Sequence, residues 1–399
     1  MDSNESNVLI EEELLEYGEV KEVSKPIETN AKPKERNSNL ELFRIITMIL
    51  IVAHHYVVNS GLLVNIYAEP TSWRSIFLLL FGAWGKTGIN CFVLITGYFM
   101  CKSNITLKKF LKLALEFMFY KIVIAIFFWA FGILPFNLTE VGKVLLPIRN
   151  VNDGFIGCYL IFFLTIPFLN ILVKNATDKQ HILLIVLSLL IYIGFETLPA
   201  FTINKNYVGW FIVLYFVSSY IRMYSRKIFD KTGLWLLLSI ISVVLSAVSV
   251  VACAYLTSKG HSINFYRFVT DSNTFLAFTN GLTLFLLFKN IKMKNSKFIN
   301  IVASTMLGVL CLHANSDAMR NWLWGTVFNN VGAYGYSWMP LHAIGTVLIV
   351  FVVCVLIDLI RIYLIEKPFF KLWDKLEVKI KEKYQKLEDK VCEKHNIQR

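Results

Sequence analysis

Two adjacent imidazoles, His54 and His55, close an apolar run that opens on a guanidinium, Arg44. Between Ile45 and Ala53 no residue is charged. In an α-helix the spacing from Arg44 to His55 amounts to roughly three turns plus about 20°, so both side chains fall on nearly the same face. The rise sets them ~16 Å apart along the axis, about half of a bilayer's hydrocarbon core. An arginine offers phosphate a fixed fork of donors and keeps its charge, while an imidazole can take a proton from a hydroxyl. Ionisable groups at membrane depth are costly and mark function by default. His54 points about 100° away from His55, so at most one of the two shares the Arg44 face, and His55 is the expected base. The plain alternatives are an imidazole hydrogen-bonded within a helix bundle, and an arginine that reaches lipid phosphate or pairs with Glu41 one turn earlier.

Further candidates lie downstream. His313 sits in Gly308-Val-Leu-Cys-Leu-His313-Ala-Asn315-Ser-Asp317, near the expected outer end of a span, and His342 opens the next one. With His54, His313 is placed on the side from which a polar acceptor would enter. Glu366-Lys367-Pro368 ends the last apolar run, where helix termination and snorkelling would account for all three residues without function. Asp153 and Tyr159 flank the start of the expected fourth span, and Trp210 and Tyr215 lie in the sixth, where aromatic residues are mostly interfacial belt. The chain carries no P-loop, GxSxG elbow, HExxH or glycine-rich dinucleotide motif, which argues against an ATP-driven pump or a Rossmann enzyme.

The elements that must position these residues are hydrophobic helices. Of 399 residues, 56% are hydrophobic and only 17% charged, and apolar runs of spanning length recur from end to end. The expected fold is an all-α polytopic membrane protein with about ten transmembrane helices, at roughly 40–60, 76–100, 111–133, 154–173, 181–199, 207–224, 234–256, 273–289, 298–316 and 341–365. A net charge of +12 could suggest nucleic acid, but the lysines and arginines concentrate in alternate short loops, which is a topology signal rather than a nucleic-acid footprint. Their alternation places both termini in the cytoplasm. Residues 1–38 read as a disordered polar tail without the apolar core of a signal peptide. Residues 39–366 form the transmembrane domain, and 367–399 a basic amphipathic tail suited to an anionic inner leaflet. Seven cysteines, odd in number and without a CxxC pair, imply neither a disulfide framework nor a metal site.

Leu40-Glu-Leu-Phe-Arg44, followed by ten residues and His55, resembles the Arg-x10-His signature of the bacterial acyltransferase 3 family, integral-membrane O-acyltransferases that modify surface glycans and lipid-linked sugars. Gly88 to Phe99 is similar to that family's second span, Phe155 to Asn170 to its fourth, Gly308 to His313 to its late Gly-x-Tyr-x-x-His element with Leu310 in place of tyrosine, and Glu366-Lys367-Pro368 to its terminal Glu-basic-Pro. The resemblance covers residues 38–370. It departs in the loop after the second span, which offers Lys108, Lys109 and Lys112 where arginines are common; lysine attracts phosphate without gripping it in two places. The resemblance implies an acyl-CoA co-substrate, usually acetyl-CoA, used from the cytoplasmic side of a bacterial plasma membrane, with no bound cofactor and a glycan or glycolipid hydroxyl as acceptor. It implies His55 as general base, by direct transfer or through an acyl-histidine, and Arg44, Lys108, Lys109, Glu366 and Lys367 at the donor. Transport of a lipid-linked sugar is the alternative for the same ten spans, and a catalytically silent relative is a third.

Overall fold

A computed structural model describes residues 36–145, 154–195 and 206–394. Residues 1–35 of the polar N-terminal tail, Asp153 and the end of the fifth expected span lie outside the described residues, and Ser38, expected in the tail, already begins the first helix. The chain is all-helical, with 80% helix and no strand among the described residues. The helices are α1 (Ser38–Val58), α2 (Trp73–Gly82), α3 (Gly85–Met100), α4 (Leu107–Ala130), α5 (Phe155–Asn175), α6 (Asp178–Leu189), α7 (Tyr207–Met223), α8 (Thr232–Ser258), α9 (Phe275–Asn290), α10 (Met306–His313), α11 (Met339–Arg361) and α12 (Lys367–Lys394), with shorter segments between them.

Six of these stretches are long and apolar enough to cross a membrane: α1, α2 with α3, α4, α5, α8, and α11 running on into α12. A seventh span results if Lys297–His313 and Asp317–Val327, which meet at 90°, count as one. The ten expected spans are therefore supported only in part. The sixth and eighth, α7 and α9, are apolar but shorter, and the ninth is broken immediately after His313. The expected amphipathic tail is helical and continues from α11 through a π-helical turn at Ile362–Glu366.

The sides of α8 show how the bundle is solvated. Leu237, Ile240, Ile241, Val244 and Val248 are exposed, whereas Ser239, Ser242 and Ser246, three or four residues apart, are buried. Ser246 Oγ accepts a hydrogen bond of 2.7 Å from Asn280 on α9, and the Ser242 hydroxyl lies 3.3 Å from that of Thr283. Polar groups turned inward and apolar ones outward is the pattern for helices that meet lipid, where small polar residues join neighbours.

α1 is held at its start by its own polar residues. Asn39 Nδ2 donates to the carbonyls of Phe288 and Lys289, at 2.9 and 3.1 Å, and so caps the last turn of α9. Phe43 stacks on Phe288 with ring centroids 4.5 Å apart. α1 then packs on α3, α10 and α11. α3 approaches it closely because Gly85 and Gly88 face it: a Cβ at Gly85 would stand 2.2 Å from the His54 ring, and one at Gly88 2.8 Å from Ile51.

Trp210 and Tyr215 do not belong to an interfacial belt. Both are buried on α7. The Trp210 indole donates 2.8 Å to Asn90 on α3, and Tyr215 donates to Asn170 on α5, whose amide caps the Met100 and Ser103 carbonyls at 3.2 and 3.3 Å. A buried indole or phenol needs a polar partner, and here the partners tie α3, α5 and α7 together.

The ends of α4 and α11 meet around a buried guanidinium. Arg361 Nε lies 2.6 Å from Asp358, Nη1 2.7 Å from Glu366 and Nη2 3.1 Å from Glu116. Tyr120 donates 2.5 Å to Asp358, and Lys112 lies 2.6 Å from the second oxygen of Glu366. Asp358 in turn sits against α10 at Gly308, where an added Cβ would stand 2.2 Å from its carboxyl carbon. Gly308→Ala is therefore expected to push the carboxylate off Arg361 and lower stability by about 1–3 kcal/mol or more, as overpacking at a fixed site does. A thermal midpoint equal to wild type in purified full-length protein would contradict this.

Candidate functional site

His55 and His313 come together although 258 residues separate them. α1 presents His55 from its last turn, and α10 ends on His313. His55 Nδ1 lies 3.0 Å from His313 Nε2, and His313 Nδ1 lies 2.6 Å from the Val309 carbonyl. The tautomers follow from these acceptors. A carbonyl only accepts, so His313 Nδ1 carries its proton. His313 is fully buried with no carboxylate bonded to it, so it is neutral and its Nε2 accepts. His55 Nδ1–H is then the donor, and the lone pair of His55 Nε2 is left free. Val309, His313 and His55 thus orient an imidazole as a base is oriented in a catalytic triad, with a neutral histidine in the place of the acid.

The His55 side chain, like that of His54, lines a cavity of about 1200 Å³. His54 Nδ1 donates 2.6 Å to the Gly82 carbonyl, which leaves its Nε2 without a protein partner. The two imidazoles have ring centroids 5.8 Å apart. His342 stands outside this set: it donates 3.1 Å to the Phe328 carbonyl and accepts 2.8 Å from Tyr56, a structural pairing.

The helix break beside His313 is held by polar groups. Asn315 Nδ2 donates 3.0 Å to the Cys311 carbonyl, Lys121 Nζ donates 2.7 Å to the Asn315 carbonyl, and the Ser316 hydroxyl caps the next helical segment. Within a bilayer, irregular backbone is tolerated only where such partners or a cavity satisfy it. Lys86, Lys121 and Arg320, none of which the sequence alone marked as site residues, line the same cavity. Lys121 carried one signal, a lysine within an otherwise spanning apolar helix.

Arg44 lies on the face the spacing predicts. Met48, Ile51, His55 and Val58 of α1 line the cavity, and Arg44 stands one turn below Met48, outside its walls. Its guanidinium is 3.5 Å from Glu41 and 6.0 Å from the Phe99 ring centroid, with Nε unpartnered. Tyr98, whose ring meets that of Phe99 edge-on, accepts 2.9 Å from Arg222, so two guanidinia flank one pair of rings. The other sequence candidates have neighbours of their own. Lys108 pairs with Asp374, and Lys109 donates to Ser103 and Asn104 at 2.7 and 2.6 Å. Glu366 belongs to the Arg361 cluster, and Lys367 stands 3.6 Å over the Tyr363 ring.

An all-helical membrane protein with a positioned imidazole in a cavity between its helices defines the class. The family model of acyltransferase 3, an acyltransferase domain, matches residues 37–359, and the chain belongs to that family. No curated protein and no solved structure matches the chain.

Proposed function

We propose that the protein transfers an acyl group, acetyl first among candidates, from cytoplasmic acyl-CoA to a hydroxyl of a cell-surface or lipid-linked glycan in a bacterial plasma membrane. It would cross the bilayer ten times with both termini in the cytoplasm, as the lysine-rich loops favour. The observation that carries this reading is the His55–His313 pair, which leaves His55 Nε2 unprotonated on a ring that lines the cavity. In the reaction, His55 Nε2 takes the acceptor hydroxyl's proton as the oxygen attacks the thioester carbonyl. The tetrahedral intermediate collapses with loss of the CoA thiolate, which receives that proton, giving an ester and CoA. Arg44, on the same stripe one turn beyond the cavity, suits the donor's phosphates, with Arg222 near it; the apolar walls at Met48, Ile51 and Phe92 suit the pantetheine arm.

The test is reconstituted full-length protein given acyl-CoA and extracted glycan, with an alkali-labile acyl mass on the glycan as readout. Arg44→Lys is expected to keep the charge but lose the fork, raising KM for acyl-CoA by about tenfold with a smaller change in kcat. An unchanged KM would remove Arg44 from donor binding. The broken helix at His313 also fits a transporter, whose sites often lie at such breaks. Movement of lipid-linked sugar without acyl-CoA, with no ester formed, would favour that reading.

A further inference from the structure

The cavity at His55 is more cationic than transfer to a plain hydroxyl needs. Lys121 lies near the middle of α4, and its ammonium has one partner, the Asn315 carbonyl. Lys86, at the start of α3, donates 2.8 Å to the Tyr207 hydroxyl. Among the described residues neither forms an ion pair with a carboxylate. Arg320 pairs with Asp317, but that carboxylate is 89% exposed, and Arg320 Nε is buried without a hydrogen-bond partner. The cavity's two carboxylates, Asp271 and Asp317, are both exposed, whereas all three cations are partly buried. Lys86 and Arg320 also lie within electrostatic reach of the His55 imidazole. A partly buried cation without a counter-ion, as Lys86 and Lys121 are here, is costly, and it is relieved when an anion arrives.

We infer that the acceptor carries its own negative charge, a carboxylate or phosphate on the sugar whose hydroxyl His55 deprotonates, and that Lys121, Lys86 and Arg320 bind it. This inference rests on the acyl-transfer reading. The volume of about 1200 Å³ exceeds the ~300–1,000 Å³ of an ordinary small-molecule site, leaving room for a charged sugar beside the acyl donor. The donor's phosphates have Arg44, outside these walls, so the cavity cations are left for the acceptor.

The experiment separates the two readings by measuring binding without acyl-CoA. Full-length protein in nanodiscs is titrated with methyl glucuronide, methyl glucoside 6-phosphate or neutral methyl glucoside, and Kd is read from the rise in thermal midpoint. At least one charged probe is expected to bind about tenfold or more tighter than the neutral one, with an advantage that shrinks as salt rises. Lys121→Gln, which keeps a donor toward the Asn315 carbonyl, and Arg320→Gln are each expected to shrink that advantage at least several-fold. A preference for the glucuronide points to an acidic sugar, and a preference for the phosphate to a phosphorylated polymer or a lipid-linked phosphate. Equal binding of all three probes, or no binding of either charged one, overturns the proposal whether or not acyl transfer is found. In turnover, Lys121→Gln should raise KM for the charged acceptor and leave KM for acyl-CoA alone. The reverse would assign the cations to the donor and overturn the proposal as well.

Discussion

Replacing His55 by alanine is expected to lower kcat for acyl transfer by about 10²–10⁴-fold, the usual worth of a positioned general base. Protein level and acyl-CoA affinity should stay close to wild type, because the ring borders a cavity and its removal leaves only His313 Nε2 without its donor. His313 provides the sharper test. Its Nε2 accepts the proton of His55 Nδ1 and so fixes which nitrogen of His55 carries the lone pair. His313→Gln can place an acceptor near that nitrogen and should retain more activity than His313→Ala, with the loss in kcat rather than KM. The double variant His55→Ala/His313→Ala should be hardly worse than His55→Ala alone, since the two act as a unit. His54→Ala, which breaks no bond to His55, should cost less. Measured ester formation in His55→Ala at the wild-type rate would remove His55 as the base.

The second large effect is on stability. Arg361→Met should lower unfolding free energy by about 3–5 kcal/mol, because it strands Glu116, Asp358 and Glu366 in a buried site with Lys112 as their remaining cation. Against a typical total of ~5–15 kcal/mol, that loss removes much of the folded protein. The comparison that isolates the cause replaces the acids too. Adding Glu116→Gln and Asp358→Asn to Arg361→Met should recover part of the loss, because the stranded charge rather than the missing contact dominates. Size-exclusion profiles of fluorescently tagged full-length protein would read both. A single variant as abundant and as thermally stable as wild type would show that the cluster contributes little.

The sequence by itself determined whatever depends on local periodicity. The apolar run of α1 and the turn-by-turn spacing from Arg44 through Met48 and Ile51 to His55 set one stripe, and the structure keeps it, with three of those four side chains on the cavity wall. Helical class and membrane residence follow from composition in the same way. The family is also written in short ordered motifs, and residues 37–359 match it. What stands opposite each stripe was decided only by tertiary structure. Periodicity tells which face of a helix is buried but not which other helix it meets. Hence the partner of His55, on a helix that ends at a break, could not be read from the chain, nor could Gly308 be read as the space that Asp358 occupies. The charged residues make the same point. Lys108, Lys121 and Arg361 are alike to a composition count, but the fold gives Lys108 a carboxylate at the surface, Arg361 three in the interior and Lys121 a lone backbone carbonyl. A charge acquires its role from what solvates it, and solvation is set by packing across the whole chain.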